Sequence, residues 1–365
     1  MVNLLSYRKA RVVEIEKEEQ NISWVKVETD KNISKAINYN DITGTINVDD
    51  VVIVNTTAVE LSLGTGGFHF VIHNYSNEYK KLEGKGHIMK LRYTPLQIKC
   101  LAAEEEDSKY FQFFKNFTSL DNHICIIGTL HSMLAPIVSS LKWFDKNINV
   151  NYIMTDGGSL PLHFSNTVRT LKEKKLLNNT ISIGHAFGGD LECTNIYTGL
   201  IAAKEILKGN VTVITMGPGI VGTGTKYGFS GIEQGQIVDA VNTLGGNPII
   251  VPRISFKDPR ERHIGISHHT RTVLSEIAQT AGKVIIPTLE EDKLNIIKKQ
   301  IQKLKIHKKH QIIYEKGDNI IDAMNHFNLK VTTMGRNYEK DKEFFLTLGA
   351  VGSYVIKELN RGGIY

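Results

Sequence analysis

The chain has little cysteine and no long apolar run, and both absences bound its class. Its 365 residues hold three cysteines, Cys100, Cys125 and Cys193. They stand far apart and form no C-x-x-C pair, which argues against a disulfide scaffold and for a reducing compartment. No apolar stretch approaches the roughly 18 to 20 residues that span a bilayer. The opening MVNLLSYRKARVVEIEKEE becomes charged too early for a secretory signal. The expectation is a cytoplasmic protein with no membrane partner. Also missing are G-x-S-x-G, a G-K-[ST] phosphate loop and a Cys₂–Cys₂ pattern, which weighs against hydrolase elbows, P-loop NTPases and zinc ribbons. The formal net charge is only +6. It permits an anionic ligand, but without interleaved aromatic and basic residues it does not point to nucleic acid.

The length suggests about two domains. Residues 1–98 read as a small β domain. Residues 24–28 alternate cleanly, residues 11–15 partly, and residues 50–55 and 68–72 are buried-type runs. Glycine, Asn and Asp clusters separate them at the short intervals of a small barrel or sandwich. The glycine-rich stretch 63–69 reads as a hairpin connection, or as a loop whose backbone approaches a ligand. Residues 99–120 read as a linker and docking helix, with a solvated acidic start at 104–107 and aromatics at Tyr110, Phe111, Phe113, Phe114 and Phe117.

From residue 121 to residue 365, strand-like runs alternate with helical stretches. The runs are 123–127, 148–154, 180–183, 211–216, 249–254, 284–286, 311–314 and 329–332. Such alternation predicts a Rossmann-like, three-layer αβα domain around a mostly parallel sheet. The lysine-rich stretch 292–310 reads as an amphipathic surface helix.

Five strand ends carry unusual polar residues: 128–132, 155–159, 184–190, 216–226 and 253–270. In a parallel sheet these ends share one edge, where α/β proteins place their ligands. The candidates for acid–base work there are His131, Asp156, His185, Asp190 and His268. The fourth loop holds Gly217, Gly219 and Gly222 in a formal G-x-G-x-x-G. It then continues through Thr223, Gly224, Thr225 and Lys226 instead of opening a helix, which weakens a dinucleotide reading. Glycine N–H groups, hydroxyls and one ammonium, with Arg253 ending the next strand, suit an anion. The alternative is a tight structural turn with Lys226 in solvent. His185, Asp190 and Glu192, and the segment from Arg260 through Arg262 and His263 to His268 and His269, hold residue types that suit zinc, manganese or iron. No H-E-x-x-H or H-x-H signature is present, so no metal ligand is assigned and no cofactor is identified. His268 could instead cap its helix, and Asp190 could be an N-cap. Cys193 reads as a small apolar residue inside a helix rather than a nucleophile.

The strings MTDGGSLPL, GHAFGGDLE, MGPGIVGTGT, GFSGIEQG, SFKDPRERHIGISHHT and VNTTAVELSLGTGGFHFV resemble an uncharacterised bacterial family known only as a domain of unknown function. The resemblance implies a cytoplasmic, two-part protein and supplies no catalytic residues. The order His131-x-Met133, Pro136-Ile137 and INVNYIMT is more faintly similar to the proprotein subunit of glycine and D-proline reductases. That family carries a cysteine cleaved to a pyruvoyl group. Cys125 does not stand where that cysteine would be expected, so only the α/β architecture is implied.

These readings lead to an enzyme acting on a small anionic or nucleotide-like metabolite. The rival is a metabolite-binding sensor or scaffold without catalysis. A homodimer is left open.

Overall fold

The computed structural model describes residues 4–30, 32–63, 66–158 and 161–361. Gly64 and Thr65 of the glycine-rich stretch, Ser159 of the second strand-end loop and the last four residues lie outside them. The chain divides into two compact units, Met1–Lys99 and Cys100–Tyr365.

The first unit is a closed barrel. Its strands are β1 (Tyr7–Glu18), β2 (Ile22–Thr29), β3 (Asn32–Tyr39), β4 (Val51–Asn55) and β5 (Phe68–Asn74), in the order β1-β2-β3-β5-β4. Only β3 and β5 run parallel, and β4 closes on β1. This is the Greek-key barrel of OB type. Alternation explains it: Val25 and Val27 turn inward with Val12, Val52, Val54 and Val71, while Trp24, Lys26 and Glu28 point out. Two short strands, β6 (Ile88–Lys90) and β7 (Ile98–Cys100), form a ribbon after the barrel.

The second unit is built on an eight-stranded sheet. Its strands are β8 (Ile124–Ile127), β9 (Val150–Thr155), β10 (Asn179–Ser182), β11 (Leu191–Glu192), β12 (Val211–Met216), β13 (Asn247–Ile250), β16 (Lys283–Pro287) and β17 (Gln311–Glu315). Between β13 and β16 a separate ribbon pairs β14 (Ile254–Ser255) with β15 (Gly265–Ile266). The sheet order is β11-β10-β9-β12-β8-β13-β16-β17, and every pairing in it is parallel. The central strands are buried on both faces, so they read as mostly apolar and β-branched runs without alternation. In β8, Ile124 and Ile126 face one core, and Cys125 and Ile127 face the other.

The helices divide accordingly. Leu134–Phe144, Asn166–Glu173, Asn319–His326 and the long Lys342–Arg361 cover one face. Ile196–Ile201, Glu233–Thr243 and Glu291–Lys303 cover the other. Among the described residues no helix is long and apolar enough to cross a membrane.

Three local expectations change. Residues 329–332 form no strand. Leu329 and Val331 lie against the core as loop residues instead. The eighth strand is β11, two residues long and too short to show a pattern. The segment 102–119 holds one five-residue helix, Phe111–Lys115, and Tyr110, Phe114 and Phe117 pack on the second unit's own core. Its acidic start is solvated only in part: Glu106 and Asp107 are exposed, but the buried Glu105 accepts from the Ala102 N–H at 2.5 Å, and Glu104 accepts from the Thr194 N–H at 2.8 Å. Cys193 is buried as expected but follows β11 rather than sitting in a helix, whose N-cap is Asn195.

Candidate functional site

The helices after β8 and β12, two neighbouring strands, leave to opposite faces of the sheet. Such a switch opens a crevice over the carboxyl ends of the strands. Gln234, completely buried, holds the floor together: its amide donates to the Ile127 carbonyl of β8 at 2.8 Å and to the Val251 carbonyl beyond β13 at 3.1 Å. A cleft of about 90 Å³ lies there. Thr129 and Leu130 line it from β8, Gly222, Gly224 and Gly231 from β12, and Arg253, Arg260, Arg262, His263 and His269 from the segment after β13. That volume is several times the roughly 10–15 Å³ one water needs and well under the roughly 300 Å³ of a drug-sized site. It suits a small oxyanion and not a whole dinucleotide.

The β14–β15 ribbon presents the basic wall. Its chain returns on itself through Ser267 N–H to Arg253 carbonyl at 2.9 Å. Asp258, buried beneath, accepts from Arg253 at 3.0 Å and from Arg260 at 2.8 and 2.9 Å. The Arg260 guanidinium, joined by Arg253, holds the Asp258 carboxyl well below the usual carboxylate range. Arg336 bonds the buried Asp341 at 2.9 Å and comes within 3.9 Å of Asp258. Arg262 has no carboxylate partner among the described residues. Four guanidinium groups thus face two paired carboxylates, and positive charge is left over.

Three imidazoles stand at one end of this wall. His263 is buried, and its Nδ1 lies 2.8 Å from Ser267 Oγ. His268 and His269 open the next helix, and their ring centroids are 4.2 Å apart. His269 stacks on Phe229 at 4.1 Å. Burial, reinforced by the neighbouring arginines, pushes His263 down to about 3; burial and the neighbouring His268 push His269 down to about 4. His268 is lowered for the same reasons, burial first.

The glycine segment after β12 folds into a small hairpin closed at Gly222 and Phe229. A Cβ at Gly222 would stand 3.4 Å from the His269 ring, and one at Gly224, which has φ +81°, would stand 3.8 Å from the Arg262 guanidinium. A positive φ suits glycine, so the loop passes the arginine without strain. The hairpin's hydroxyls are spent within it: Thr223 and Thr225 bond each other at 2.9 Å, and Thr223 bonds the Gly228 carbonyl. Lys226 pairs with Glu276 at 2.7 Å and lies over the Tyr227 ring. Of the residues expected to hold an anion, Gly222, Gly224 and Arg253 line the cleft; Gly217, Gly219, Thr223, Thr225 and Lys226 do not. Gly219, at φ +105°, packs against Gly158.

None of the expected catalytic residues lines this cleft. His268 belongs to the imidazole group. His131 is locked between Tyr152 at 3.2 Å and Ser165 at 2.6 Å, and burial pushes it down to about 4. Asp156 accepts the His185 backbone N–H at 2.9 Å, joining the second and third loops. Asp190 pairs with Lys172 at 2.6 Å and accepts from the Thr180 N–H at 2.8 Å, so it is no helix cap. Arg260, Arg262, His263 and His269 were named in the sequence reading but given no binding role. Glu233 was passed over entirely. It opens the helix after β12, accepts from Thr155 Oγ at 2.5 Å, and is pushed up to about 7 by burial and by Asp156. Its position two residues after Gly231, at the start of the switch-point helix, was the available signal.

Comparison with known proteins adds one finding. No curated protein and no solved structure matches the chain. A family model matches residues 35–352, which is most of the chain and spans both units. The chain therefore belongs to DUF3866, a family described as a protein of unknown function.

Proposed function

We propose that the protein is an enzyme acting on a small anionic metabolite in the cleft over β8, β12 and β13. The observation that carries this is the unbalanced charge of the basic wall. Asp258 and Asp341 fix the arginines but do not neutralise them, and a surplus of guanidinium around so small a volume favours a phosphate or carboxylate held by forked hydrogen bonds. The oxyanion would sit against Arg253, Arg260 and Arg262. The reacting part would lie toward the imidazole group. Titratable groups in a cleft at a switch point favour catalysis over simple sensing.

Two measurements test the reading. Calorimetric titration of inorganic phosphate in the presence of chelator should show binding that Arg260→Ala combined with Arg262→Ala weakens at least tenfold. Both side chains are exposed, and the buried Asp258 keeps its bond from Arg253, so the fold should survive. Incubation with a panel of phosphorylated and carboxylated metabolites, followed by proton and phosphorus NMR, should reveal turnover of one member. No response to any anion would remove the proposal. Binding without turnover would turn it into the sensor reading.

A further inference from the structure

We propose that His263, His268 and His269 form a binding site for a divalent transition-metal ion of the zinc class. Each offers one ring nitrogen, and the three atoms lie within 4.8 Å of one another. Two of these rings carry an orphaned atom: Nε2 of His263 and Nε2 of His268 are buried with no hydrogen-bond partner. A buried ring nitrogen without a partner is costly, and native structures seldom tolerate one without a reason. His263 has the second contact that ligating histidines usually have. Its Nδ1 lies 2.8 Å from Ser267 Oγ and 3.5 Å from Arg253 Nη1; in the tautomer that donates Nδ1–H to the shorter contact, the Nε2 lone pair is bare. Phe229 fixes His269 from the other side by stacking, which limits where its ring can turn.

Imidazole ligands suit zinc, copper, iron and nickel rather than magnesium or calcium. Three protein ligands with an open fourth position is the catalytic zinc arrangement. Metal–nitrogen bonds of about 2.0–2.1 Å would bring tetrahedral ligands to roughly 3.3–3.5 Å from each other, so the rings would draw in by about 1 Å. His263 and His269 both line the cleft, so the open position would face the bound anion. An ion there could activate a water against the substrate.

The arginines make a second, sharper consequence. Arg253, Arg260 and Arg262 repel a bare dication, and an oxyanion between them and the metal cancels that repulsion. Metal and anion should therefore strengthen each other's binding by the same factor, since linkage is reciprocal. This consequence rests on the anion reading; the metal site itself does not.

The test uses the full chain stripped with chelator. Cobalt(II) titration should give a visible absorption typical of low-coordinate nitrogen ligation, at one ion per chain. His268→Gln and His269→Gln should each weaken cobalt binding at least tenfold while keeping the thermal midpoint of the metal-free protein. His263 is avoided because its burial makes loss of fold a risk. Added inorganic phosphate should tighten cobalt binding at least tenfold. No cobalt spectrum in the wild type, or an unchanged affinity in both glutamine variants, overturns the metal site. Cobalt binding lost in the variants but indifferent to phosphate upholds the metal site and overturns the anion reading.

Discussion

The two halves of one sheet edge make an instructive contrast. Over β9 and β10, the carboxylates of Asp156 and Asp190 face partners that use them up: a backbone N–H, a lysine and a threonine. Over β8, β12 and β13, the arginines outnumber their carboxylates and two ring nitrogens have no partner. Both halves look equally functional as sequence, because both put histidine, acid and glycine at strand ends. The difference lies in what remains after internal pairing. A site is where polar groups are positioned by the fold but not satisfied by it.

The strongest way to break this contrast is to remove the shared anchor of the basic wall. Asp258→Ala would leave Arg253, 7% exposed, as an uncompensated buried charge. The expected cost is about 3–5 kcal/mol. Asp190→Ala on the other half should cost only about 1–2 kcal/mol, because the Lys172 pair is solvent-screened and one backbone bond is lost. Denaturant unfolding of both variants measures the gap. Equal losses would show that the basic wall is no more strained by charge than the opposite half.

A second, smaller effect within the β8, β12 and β13 half is read by pH. Glu233 is raised to about 7 in the fold, above its ordinary value. Its contribution is therefore fully present in acid and is lost as pH rises through about 7. Glu233→Gln should be more stable than wild type at pH 8, by roughly 1–3 kcal/mol, and the advantage should vanish near pH 5. His123 and His131 act in the opposite sense. Burial pushes both down to about 4, so stability is intact above about 6.5 and falls as pH drops toward 4. That acid limb should persist unchanged in Glu233→Gln. Unfolding at pH 5, 6.5 and 8 checks both signs, and an alkaline limb that survives the substitution would mean that Glu233 does not cause it.

Much of this architecture is legible in the sequence. Runs of apolar and β-branched residues such as 124–127 and 211–216 are what strands buried on both faces look like, and clean alternation in 24–28 is what a barrel wall looks like. The edge that carries the polar loops follows from parallel pairing alone. What the sequence hides is pairing across distance. Lys226 looks like a free ammonium beside glycines, and only the fold brings Glu276 to it. Arg260 and Arg262 look like an ordinary charged loop until Asp258 is found buried beneath them. The two-residue β11 covers a single strand period, and 329–332 covers only two, too few to tell a strand from a loop whose Leu329 and Val331 reach the core.

The smallest expected effect is also the sharpest test of where the anion goes. Lys226 stands in the glycine-rich loop, and charge alone would make it a phosphate ligand. The fold gives it other work: it pairs with Glu276, and that same carboxylate accepts from Tyr227 at 2.6 Å. More than half of the Lys226 side chain is exposed, so solvent screens the pair and its loss should be close to neutral. Lys226→Ala should then leave both the thermal midpoint and the phosphate affinity within experimental scatter. Gly224→Ala, in the same loop, should behave differently. Its positive φ penalises any side chain, and the added methyl would stand 3.8 Å from the Arg262 guanidinium. It should lower the midpoint slightly and weaken phosphate binding by a few-fold. If Lys226→Ala weakens phosphate binding more than Gly224→Ala does, the anion sits on the hairpin's outer side, and the basic wall is not its site.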